Sequence, residues 1–321
     1  MKAIVIQRYG PPDVLEVVEL PTPTPKAGEV LIENKAISIN PYDCMARNGE
    51  VKMLEGFRFP KILGGECAGE VVETGVGVKH FRKGDRVIAF TGRGGAYREF
   101  VTIPAAKCVA LPEGVSFAEG ASLPIAGTTA YDALHRLGKM KSSQNVLIYG
   151  AYGSVGSFAV QIAKLAGAKV TAVCSTSSVE KVKALGADVV VDYTRENFLD
   201  SSVHFDIVFD TPHVLPFGKT KKVLNESGIL IGTMPSPMSM LTQMSTLFSK
   251  QKYKVIFADP TPEKIALLAG LVKEGKLKVI IDREYGFDEL PQAHRYSETK
   301  RAKGKIIVRL GFQASDTSKV S

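Results

Sequence analysis

A single glycine-rich turn constrains the fold of this chain more than any other feature. The turn at residues 150–156 (GAYGSVG) follows a five-residue apolar run, Asn145–Tyr149, and precedes residues 154–166, where apolar side chains recur at helical spacing. A strand, a glycine turn and a helix in this order form the dinucleotide-binding fingerprint, in which glycines let the backbone approach a pyrophosphate. Ala151 stands at the first glycine of that pattern. The alternative interpretation is a strand–helix turn that binds nothing.

The alternation of short strands and helices continues on the C-terminal side of this turn. A helix-like segment stops at Gly167, and a second one, residues 179–185, stops at Gly186. Such βαβ alternation is typical of a parallel, doubly wound sheet, so we predict an α/β fold of the Rossmann type. The expected strands after the first are residues 169–174, 188–191, 206–210 and 228–232.

The first third of the chain has a different pattern of apolar and turn-forming residues. Short strand-like runs alternate with turn residues such as Gly10-Pro11-Pro12 and Lys83-Gly84-Asp85, which predicts a small β-rich domain. Near the C-terminus, a helix at residues 263–274 is followed by strand-like pieces that end in residues 305–310. We therefore expect a β-rich domain at residues 1–122, a Rossmann domain at 123–262, and a return to the first domain at 263–321, with a polar tail from about residue 313.

Composition and cysteine spacing exclude several classes of protein. In 321 residues, no apolar stretch approaches the ~20 residues of a membrane helix, and the N-terminus turns polar too early for a signal peptide. The four cysteines, at 44, 67, 108 and 174, stand alone, so neither a disulfide framework nor a zinc knuckle is predicted. We expect a cytoplasmic protein in a reducing environment, without a membrane partner.

The net charge of +8 leaves more than one partner open. Basic residues cluster at residues 219–222, 250–254 and 300–305, but they lack interleaved aromatic residues and any nucleic-acid-binding module. A solvated basic face is therefore favoured over nucleic-acid binding. A phosphorylated ligand would account for part of the charge.

The residues after the second Rossmann strand indicate which nucleotide is bound. NAD sites place an acidic residue about 20 positions after the glycine turn, but residues 157–179 contain none. Ser175-Thr176-Ser177-Ser178 stands there, followed by Lys181 and Lys183. Hydroxyl and ammonium groups can bind a 2′-phosphate, so NADPH is predicted over NADH. Alternatively, the serines only cap the next helix, with Ser177 and Glu180 as a capping box.

The order and spacing of several motifs resemble the medium-chain dehydrogenase/reductase superfamily, in its zinc-independent, zeta-crystallin-like NADPH:quinone oxidoreductase branch. The resemblance spans about residues 1–310. It implies a Rossmann domain, a GroES-like β-rich substrate domain, an active-site cleft between them, and homodimers or homotetramers. The motifs are GEVLI (28–32), INPYD (39–43), GGECAGEV (64–71), GTTAY (127–131), GAYGSVG (150–156), LGAD (185–188) and GKI (304–306).

The same resemblance implies a set of cofactor-binding residues. Tyr152 departs from the small residue usual in the family, so its ring must point away from the phosphates, and we expect a packed aromatic at the domain junction. The implied contacts are Thr128 near the nicotinamide; Gly150, Ala151, Gly153, Ser154, Val155 and Gly156 at the pyrophosphate; Ser175, Lys181 and Tyr193 around the 2′-phosphate end; and Gly304 and Lys305 closing over the cofactor from the other domain.

Zinc-dependent relatives ligate their metal with cysteine and histidine, and this chain lacks those residues. Aligning the motifs places Asn40 at the first cysteine, Gly65 at the histidine, and residues 124–125 near the last cysteine. An amide, a glycine and an apolar pair cannot supply the thiolate and imidazole ligands of Zn²⁺. We therefore expect no metal.

Without a Lewis acid, the substrate must already be electrophilic, which favours quinones and α,β-unsaturated ketones or aldehydes. We expect hydride transfer from NADPH, with hydrogen bonds to the developing oxyanion. Asn40 is the preferred polar group, with Tyr42, Asp43 and Tyr131 as lesser candidates; Asp43 could instead pair with Arg47. The competing hypotheses are an NADPH-binding scaffold or RNA-binding protein without robust catalysis, and a zinc alcohol dehydrogenase.

The methionine-rich residues 234–248 suit either an adaptable pocket or interface, or a core-facing loop and helix.

Overall fold

The computed structural model of the protein describes residues 1–311 and divides into two compact units. Unit 1 contains Met1–Ile125, Pro260–Glu274 and the C-terminal segment from Ile281, whereas unit 2 contains Ala126–Asp259 and Gly275–Ile280. The sequence placed all residues after 262 in the first domain. Gly275–Ile280 instead joins unit 2. The expected polar tail, from about residue 313, lies outside the described residues.

Two hydrogen bonds explain why this short segment belongs to unit 2. The Gln161 side chain donates to the carbonyl oxygen of Lys278 at 2.9 Å and accepts a hydrogen bond from the Lys278 amide at 2.8 Å. The side chain of one buried glutamine thus binds the backbone of this segment and holds it against unit 2. Sequence patterns do not encode such a contact, because it joins residues more than a hundred positions apart.

Unit 2 is built on a parallel six-stranded sheet. Its strand order is β11-β10-β9-β12-β13-β14, and every neighbouring pair is parallel, which is the doubly wound Rossmann arrangement. The α/β prediction is therefore confirmed. The strands are β9 (Asn145–Tyr149), β10 (Lys169–Cys174), β11 (Val189–Asp192), β12 (Phe205–Asp210), β13 (Leu224–Gly232) and β14 (Lys252–Val255). The helices are α4 (Thr128–Asp132), α5 (Ser154–Leu165), α6 (Val179–Ala184), α7 (Phe217–Thr220) and α8 (Pro237–Ser245).

Unit 1 contains one large and one small sheet. In the large sheet the order is β15-β16-β3-β5-β6-β8, with β7 also pairing with β3, and the small sheet has the order β2-β1-β4. The strands are β1 (Lys2–Ile6), β2 (Leu15–Glu19), β3 (Glu29–Ile39), β4 (Lys61–Ile62), β5 (Glu66–Thr74), β6 (Arg86–Phe90), β7 (Phe100–Pro104), β8 (Cys108–Ala110), β15 (Ile281–Gly286) and β16 (Lys305–Arg309). The helices are α1 (Pro41–Asn48), α2 (Lys52–Glu55), α3 (Phe117–Ser122), α9 (Pro262–Lys273) and α10 (Leu290–Glu298).

The last strand within residues 1–311, β16, occupies the interior of this large sheet. β16 lies between β15, to which it is parallel, and β3, to which it is antiparallel. Residues near the C-terminus therefore complete a core that begins at residue 4. The β-rich, GroES-like character predicted for this part of the chain is confirmed.

A close backbone approach in unit 2 determines which residue can occupy the first turn of α5. A Cβ atom added at Gly156 would lie 2.1 Å from the Gly150 carbonyl oxygen, which is a backbone atom and cannot easily move away. Gly153 is three residues earlier, and a Cβ atom there would meet that same oxygen at 3.4 Å, an ordinary contact. Of these two glycines, only Gly156 is required by the fold itself.

We predict that Gly156→Ala lowers the free energy of unfolding by about 1–3 kcal/mol, because the added methyl group forces the helix away from the turn. Gly153→Ala is the matched control, and its effect should stay within about 0.5 kcal/mol. Chemical unfolding followed by circular dichroism would measure both changes. Equal stability of the two variants would contradict this account of the turn.

Candidate cofactor and catalytic site

The glycine turn of unit 2 presents backbone amides without a side-chain cap. Gly150 has a φ of +76°, a conformation that favours glycine, and its amide and that of Ala151 both donate to the Val173 carbonyl oxygen at 3.0 Å. Gly153 is the N-cap of α5 and has no side chain with which to bind the first-turn amides. These amides, together with the helix dipole, favour an anion at this end of α5.

The position of the turn in the sheet agrees with a nucleotide site. It follows β9, the central strand from which the chain crosses first to β10 on one side and later to β12 on the other. In open parallel sheets, ligands bind beyond the carboxyl ends of the strands, where the strand order reverses. The predicted residues Gly150, Ala151, Gly153, Ser154, Val155 and Gly156 all lie at this point.

The end of β10 brings hydroxyl groups and one ammonium group close to the glycine turn. The side-chain oxygens of Ser175 and Ser177 are 3.4 Å apart. The Lys181 ammonium lies 5.7 Å from the centre of the Tyr152 ring, within the range of a cation–π interaction. The half-buried Tyr152 therefore lies beside a lysine of its own unit, a neighbour that the sequence analysis did not anticipate.

The expected capping box at this helix start is not formed in the way predicted. Helix α6 begins at Val179, with Ser178 rather than Ser177 at the N-cap position. Glu180 forms an ion pair with Lys183 at 2.9 Å instead of reaching back to the chain before the helix. A short 3₁₀ turn over Thr176–Ser178 shifts the start of the helix by one residue, which explains the difference.

Three further predicted residues of unit 2 lie in different environments. Tyr193 is 53% exposed and stacks on Tyr149, with ring centres 6.3 Å apart. Thr128 is fully buried in α4. On the same helix, the Tyr131 ring packs on His135 at 4.5 Å, and burial lowers the pKa of that histidine.

An acidic residue that the sequence analysis missed lies close to the end of β10. Asp192, at the end of β11, accepts hydrogen bonds from the Thr176 hydroxyl at 2.6 Å and from the backbone amide and hydroxyl of Thr194. These hydrogen bonds, that from Thr176 first, lower the pKa of Asp192. Its carboxylate is thus directed toward threonines and does not replace the acidic residue of an NAD site.

In unit 1, strand register gathers a buried polar cluster around Glu66. Glu66 begins β5 beside Ser38 of β3, because Cys67 is paired with Ile37. Lys305 begins β16 beside Asn40, because Ile306 is paired with Ile39. The side chains of Ser38, Glu66 and Lys305, with that of Asn40 directly after β3, thereby meet at one end of these three neighbouring strands.

The Glu66 carboxylate is fully hydrogen-bonded although it has no access to water. One of its oxygens accepts from the Ser38 hydroxyl and the Asn40 amide, both at 2.7 Å, and from the Lys305 ammonium at 2.8 Å. The other oxygen accepts from the Ile125 backbone amide at 2.7 Å. Lys305 also donates to the Asn40 side-chain oxygen at 2.9 Å, which closes the network.

This cluster changes the interpretation of two predicted residues. The Lys305 side chain is 1% exposed and paired with Glu66, so its ammonium is not presented to a phosphate as expected. Asn40 is 4% exposed, and both its amide oxygen and its amide nitrogen already have partners. Glu66 is the functional residue that was not predicted, and its signal was a charged residue directly before the small, apolar stretch Cys67-Ala68-Gly69.

A second buried chain of polar groups begins at Asp43. The backbone amide of Asn40 donates to Asp43 at 2.8 Å and so caps α1. Burial raises the pKa of Asp43 to about 7, and the neighbouring Glu66 carboxylate contributes to the rise. The Tyr97 hydroxyl, which also contacts Asp43, lies 3.0 Å from His294, whose other ring nitrogen is 3.5 Å from the Cys44 sulfur.

The expected pairing of Asp43 with Arg47 is wrong. Arg47 is 1% exposed and forms its ion pair with Glu298 of α10. The reason is geometric: Asp43 is at N3 of α1 and points back toward the N-cap, whereas Arg47 is in the last turn. Tyr42, another candidate, donates its hydroxyl proton to Glu55 at 2.6 Å, and burial followed by this hydrogen bond raises its pKa.

The residues at the positions of the zinc ligands do not fit a zinc ion. Asn40 supplies an amide whose oxygen already accepts from Lys305, while Gly65 and Ile125 have no donor side chain. Within residues 1–311, no group of three or more His, Cys, Asp or Glu side chains could hold a metal ion. A zinc ion there would lack soft or imidazole ligands and would lie beside a buried ammonium group.

Comparisons with known proteins give the relatives of both units. The family model of the alcohol dehydrogenase GroES-like domain matches residues 26–113, and that of zinc-binding dehydrogenases matches residues 185–308. The chain is 38% identical to a chloroplast envelope quinone oxidoreductase homolog of Arabidopsis thaliana, over 96% of this chain and 98% of the relative. It is 30% identical to a chloroplastic NADPH-dependent alkenal/one oxidoreductase of the same plant, over 96% of this chain and 79% of the relative. The quinone oxidoreductase structure from Coxiella burnetii superposes with a TM-score of 0.88 at 32% identity, covering 96% of this chain and 99% of that one.

We predict that Lys305→Met lowers the free energy of unfolding by about 3–5 kcal/mol, because it leaves the Glu66 carboxylate buried without a cation. The double variant Glu66→Gln/Lys305→Met should recover much of this loss, since no uncompensated charge remains. Lys35→Met, which removes a half-exposed ion pair with Glu33, is the matched control and should cost less than about 1 kcal/mol. Chemical unfolding of the unchanged protein, Lys305→Met, Glu66→Gln and the double variant would measure the coupling between the two buried residues. A Lys305→Met variant as stable as Lys35→Met would show that the buried pair does not support the fold.

Proposed function

Since this chain belongs to the quinone oxidoreductase branch of the medium-chain dehydrogenase/reductase superfamily, we propose that it transfers a hydride from NADPH to quinones or α,β-unsaturated ketones and aldehydes. The observation that carries the proposal is the pairing of an anion-binding glycine turn with a region that has no ligands for zinc. The first feature supports a dinucleotide, and the second excludes activation of an ordinary alcohol by a metal at that position.

NADPH fits the residues of unit 2. The uncapped first-turn amides of α5, together with Gly150, Ala151 and Gly153, leave a cradle for a pyrophosphate, at the place where the sheet order reverses. When bound, NADPH supplies the hydride. We assign its binding to Gly150, Ala151, Gly153, Ser154, Val155 and Gly156, with Thr128 and Tyr193 toward its two ends.

The preference for a 2′-phosphate is assigned to Ser175 and Lys181. Lys183 forms an ion pair with Glu180, and Lys181 extends instead toward the Tyr152 ring beside the glycine turn. An ammonium group and hydroxyls favour a phosphate at the end of β10, and residues 157–179 contain no carboxylate that would repel it. This arrangement supports NADPH over NADH.

The chain's own contribution to the reaction is to orient polar groups toward a developing oxyanion. Asn40 donates one amide hydrogen to Glu66 and retains a second, which we assign to the substrate oxygen. Glu66 and Lys305 act as positioning residues, because they hold the Asn40 amide in one orientation. Tyr42, Asp43 and Tyr131 receive no catalytic role, and solvent supplies the proton after hydride transfer.

The assembly and location of the protein are part of the same proposal. We propose a homodimer or homotetramer, as the family resemblance implies, and a reducing compartment such as the cytoplasm. The four cysteines, all buried as free thiols, support a reducing environment. Sedimentation analysis of the purified protein would measure its assembly.

NADPH oxidation measured against a panel of quinones, enals and enones tests the proposed activity directly. We expect substrate-dependent oxidation of NADPH, slower oxidation of NADH, and no loss of activity after treatment with a chelator. Tight NADPH binding without turnover of any substrate in the panel would support the alternative of a nucleotide-binding scaffold. Activity that is lost on chelation and restored by zinc would contradict the metal-free mechanism.

We predict that Lys181→Gln raises the KM for NADPH about tenfold or more, because a charge-assisted contact to the 2′-phosphate is lost. The KM for NADH should change little, since NADH has no phosphate at this position. Lys183→Gln removes the same charge two residues away and is the matched control. An equal rise in KM for both cofactors would assign Lys181 to another part of the nucleotide.

A further inference from the structure

Tyr152 places an aromatic ring inside the glycine turn of unit 2. Backbone hydrogen bonds hold the chain on both sides of it. The Ala151 amide donates to the Val173 carbonyl oxygen, and the Gly153 amide donates to the Gly150 carbonyl oxygen, both at 3.0 Å. Because the backbone is fixed at these points, the half-buried ring can reach only a limited region beside the turn.

The ammonium group of Lys181 lies over the ring of Tyr152. Its nitrogen is 5.7 Å from the ring centre, within the range in which a cation is attracted to the electron-rich face of an aromatic ring. Lys181 belongs to α6, which is anchored in unit 2 by the fully buried Val182. The contact thus joins the turn after β9 to the helix after β10, at the place proposed for the cofactor.

The two lysines of α6 have partners of different kinds. Lys183 forms an ion pair with Glu180 at 2.9 Å, so a carboxylate compensates its charge. Lys181 has an aromatic partner instead. A carboxylate beside Lys181 would hold the side chain but would also cancel its charge. An aromatic ring holds it and leaves both the positive charge and N–H donors of the ammonium for a phosphate.

Restraint of Lys181 before binding has a thermodynamic consequence. Lysine is among the side chains that lose the most rotamer freedom when they become ordered, and Lys181 is exposed to solvent. A ring that already holds its ammonium beside the glycine turn reduces the entropy lost when a ligand binds there. The contact therefore favours a ligand that meets this ammonium over one that does not.

We propose that Tyr152 is a positioning residue that strengthens the preference for NADPH over NADH by holding Lys181 in place for the 2′-phosphate. The inference rests on the proposed binding of NADPH, and it gives Tyr152 no contact with the phosphate itself. The aromatic residue expected from the sequence was only packed against its surroundings. Such a residue would support the turn, but it would not distinguish between the two cofactors.

The proposed role makes a specific demand on the side chain at position 152. A cation is attracted by the face of the ring, and the phenol hydroxyl is not needed for this attraction. Tyr152→Phe therefore keeps the interaction. Tyr152→Leu keeps an apolar side chain but removes the aromatic electrons. The two variants separate the effect of the ring from the effect of side-chain bulk.

Calorimetric titration with two fragments of the cofactor tests the proposal without any turnover. Adenosine 2′,5′-bisphosphate carries the 2′-phosphate, and adenosine 5′-monophosphate, which lacks only that phosphate, is the matched ligand. We expect the unchanged protein to bind the bisphosphate more tightly. Tyr152→Leu should weaken binding of the bisphosphate roughly two- to fivefold and leave binding of the monophosphate unchanged. Tyr152→Phe should bind both fragments like the unchanged protein.

Two further measurements show whether Tyr152 acts through Lys181. In the Lys181→Gln background, Tyr152→Leu should have no additional effect on binding of the bisphosphate, because the cation that the ring holds is absent. In steady-state kinetics, Tyr152→Leu should raise the KM for NADPH roughly two- to fivefold, with kcat and the KM for NADH unchanged. All variants should retain the melting temperature of the unchanged protein, since the backbone of the turn is not altered.

Three outcomes would overturn the role of Tyr152 alone. The first is a Tyr152→Leu variant that binds the bisphosphate as tightly as the unchanged protein. The second is an equal loss of affinity for both fragments, which would make the ring a support for the turn. The third is additive losses in the double variant, which would separate Tyr152 from Lys181. If the unchanged protein binds both fragments equally, the proposed preference for NADPH is itself wrong, and the role of Tyr152 falls with it.

Discussion

The burial of one carboxylate organises unit 1. Glu66 has no contact with water, so its charge requires donors from the protein, and none is available on its own strand. Ser38 comes from β3, Asn40 directly follows that strand, Lys305 comes from β16, and a backbone amide comes from Ile125. The requirement for these donors specifies the register of three strands and the orientation of the Asn40 amide. The proposed catalytic group is therefore held in place by the interaction that also supports the fold.

The anion site proposed for unit 2 uses backbone amides instead of buried side chains. These amides lie at the start of α5, and Gly150, Ala151 and Gly153 beside them leave room for a ligand to approach. In this proposal, the exposed Lys181 adds selectivity for the cofactor without being needed for folding.

Local patterns in the sequence predicted unit 2 well, and long-range contacts were the part they could not predict. The bounds of β9 and β10 are those expected from their apolar runs, and α5 ends one residue before its expected limit. β14 could not be predicted from local pattern, because Lys252 and Lys254 give this edge strand a polar sequence. The roles of Lys305 and Arg47 were misjudged because their partners, Glu66 and Glu298, lie more than 200 positions away. A motif such as GKI identifies a family, but it does not show which carboxylate its lysine will meet.

The interior position of β16 has a consequence for synthesis on the ribosome. The large sheet of unit 1 stays incomplete until residues 305–309 have emerged, whereas every strand of unit 2 is available by residue 255. Domains generally fold as units while the chain is being made, so the middle of this chain can reach its native state before the beginning does. Until then, the strand that contains Glu66 stays hydrated and incompletely folded, and it is accessible to chaperones and proteases. A premature stop shortly before residue 305 would therefore release a folded Rossmann unit attached to an unfinished N-terminal sheet.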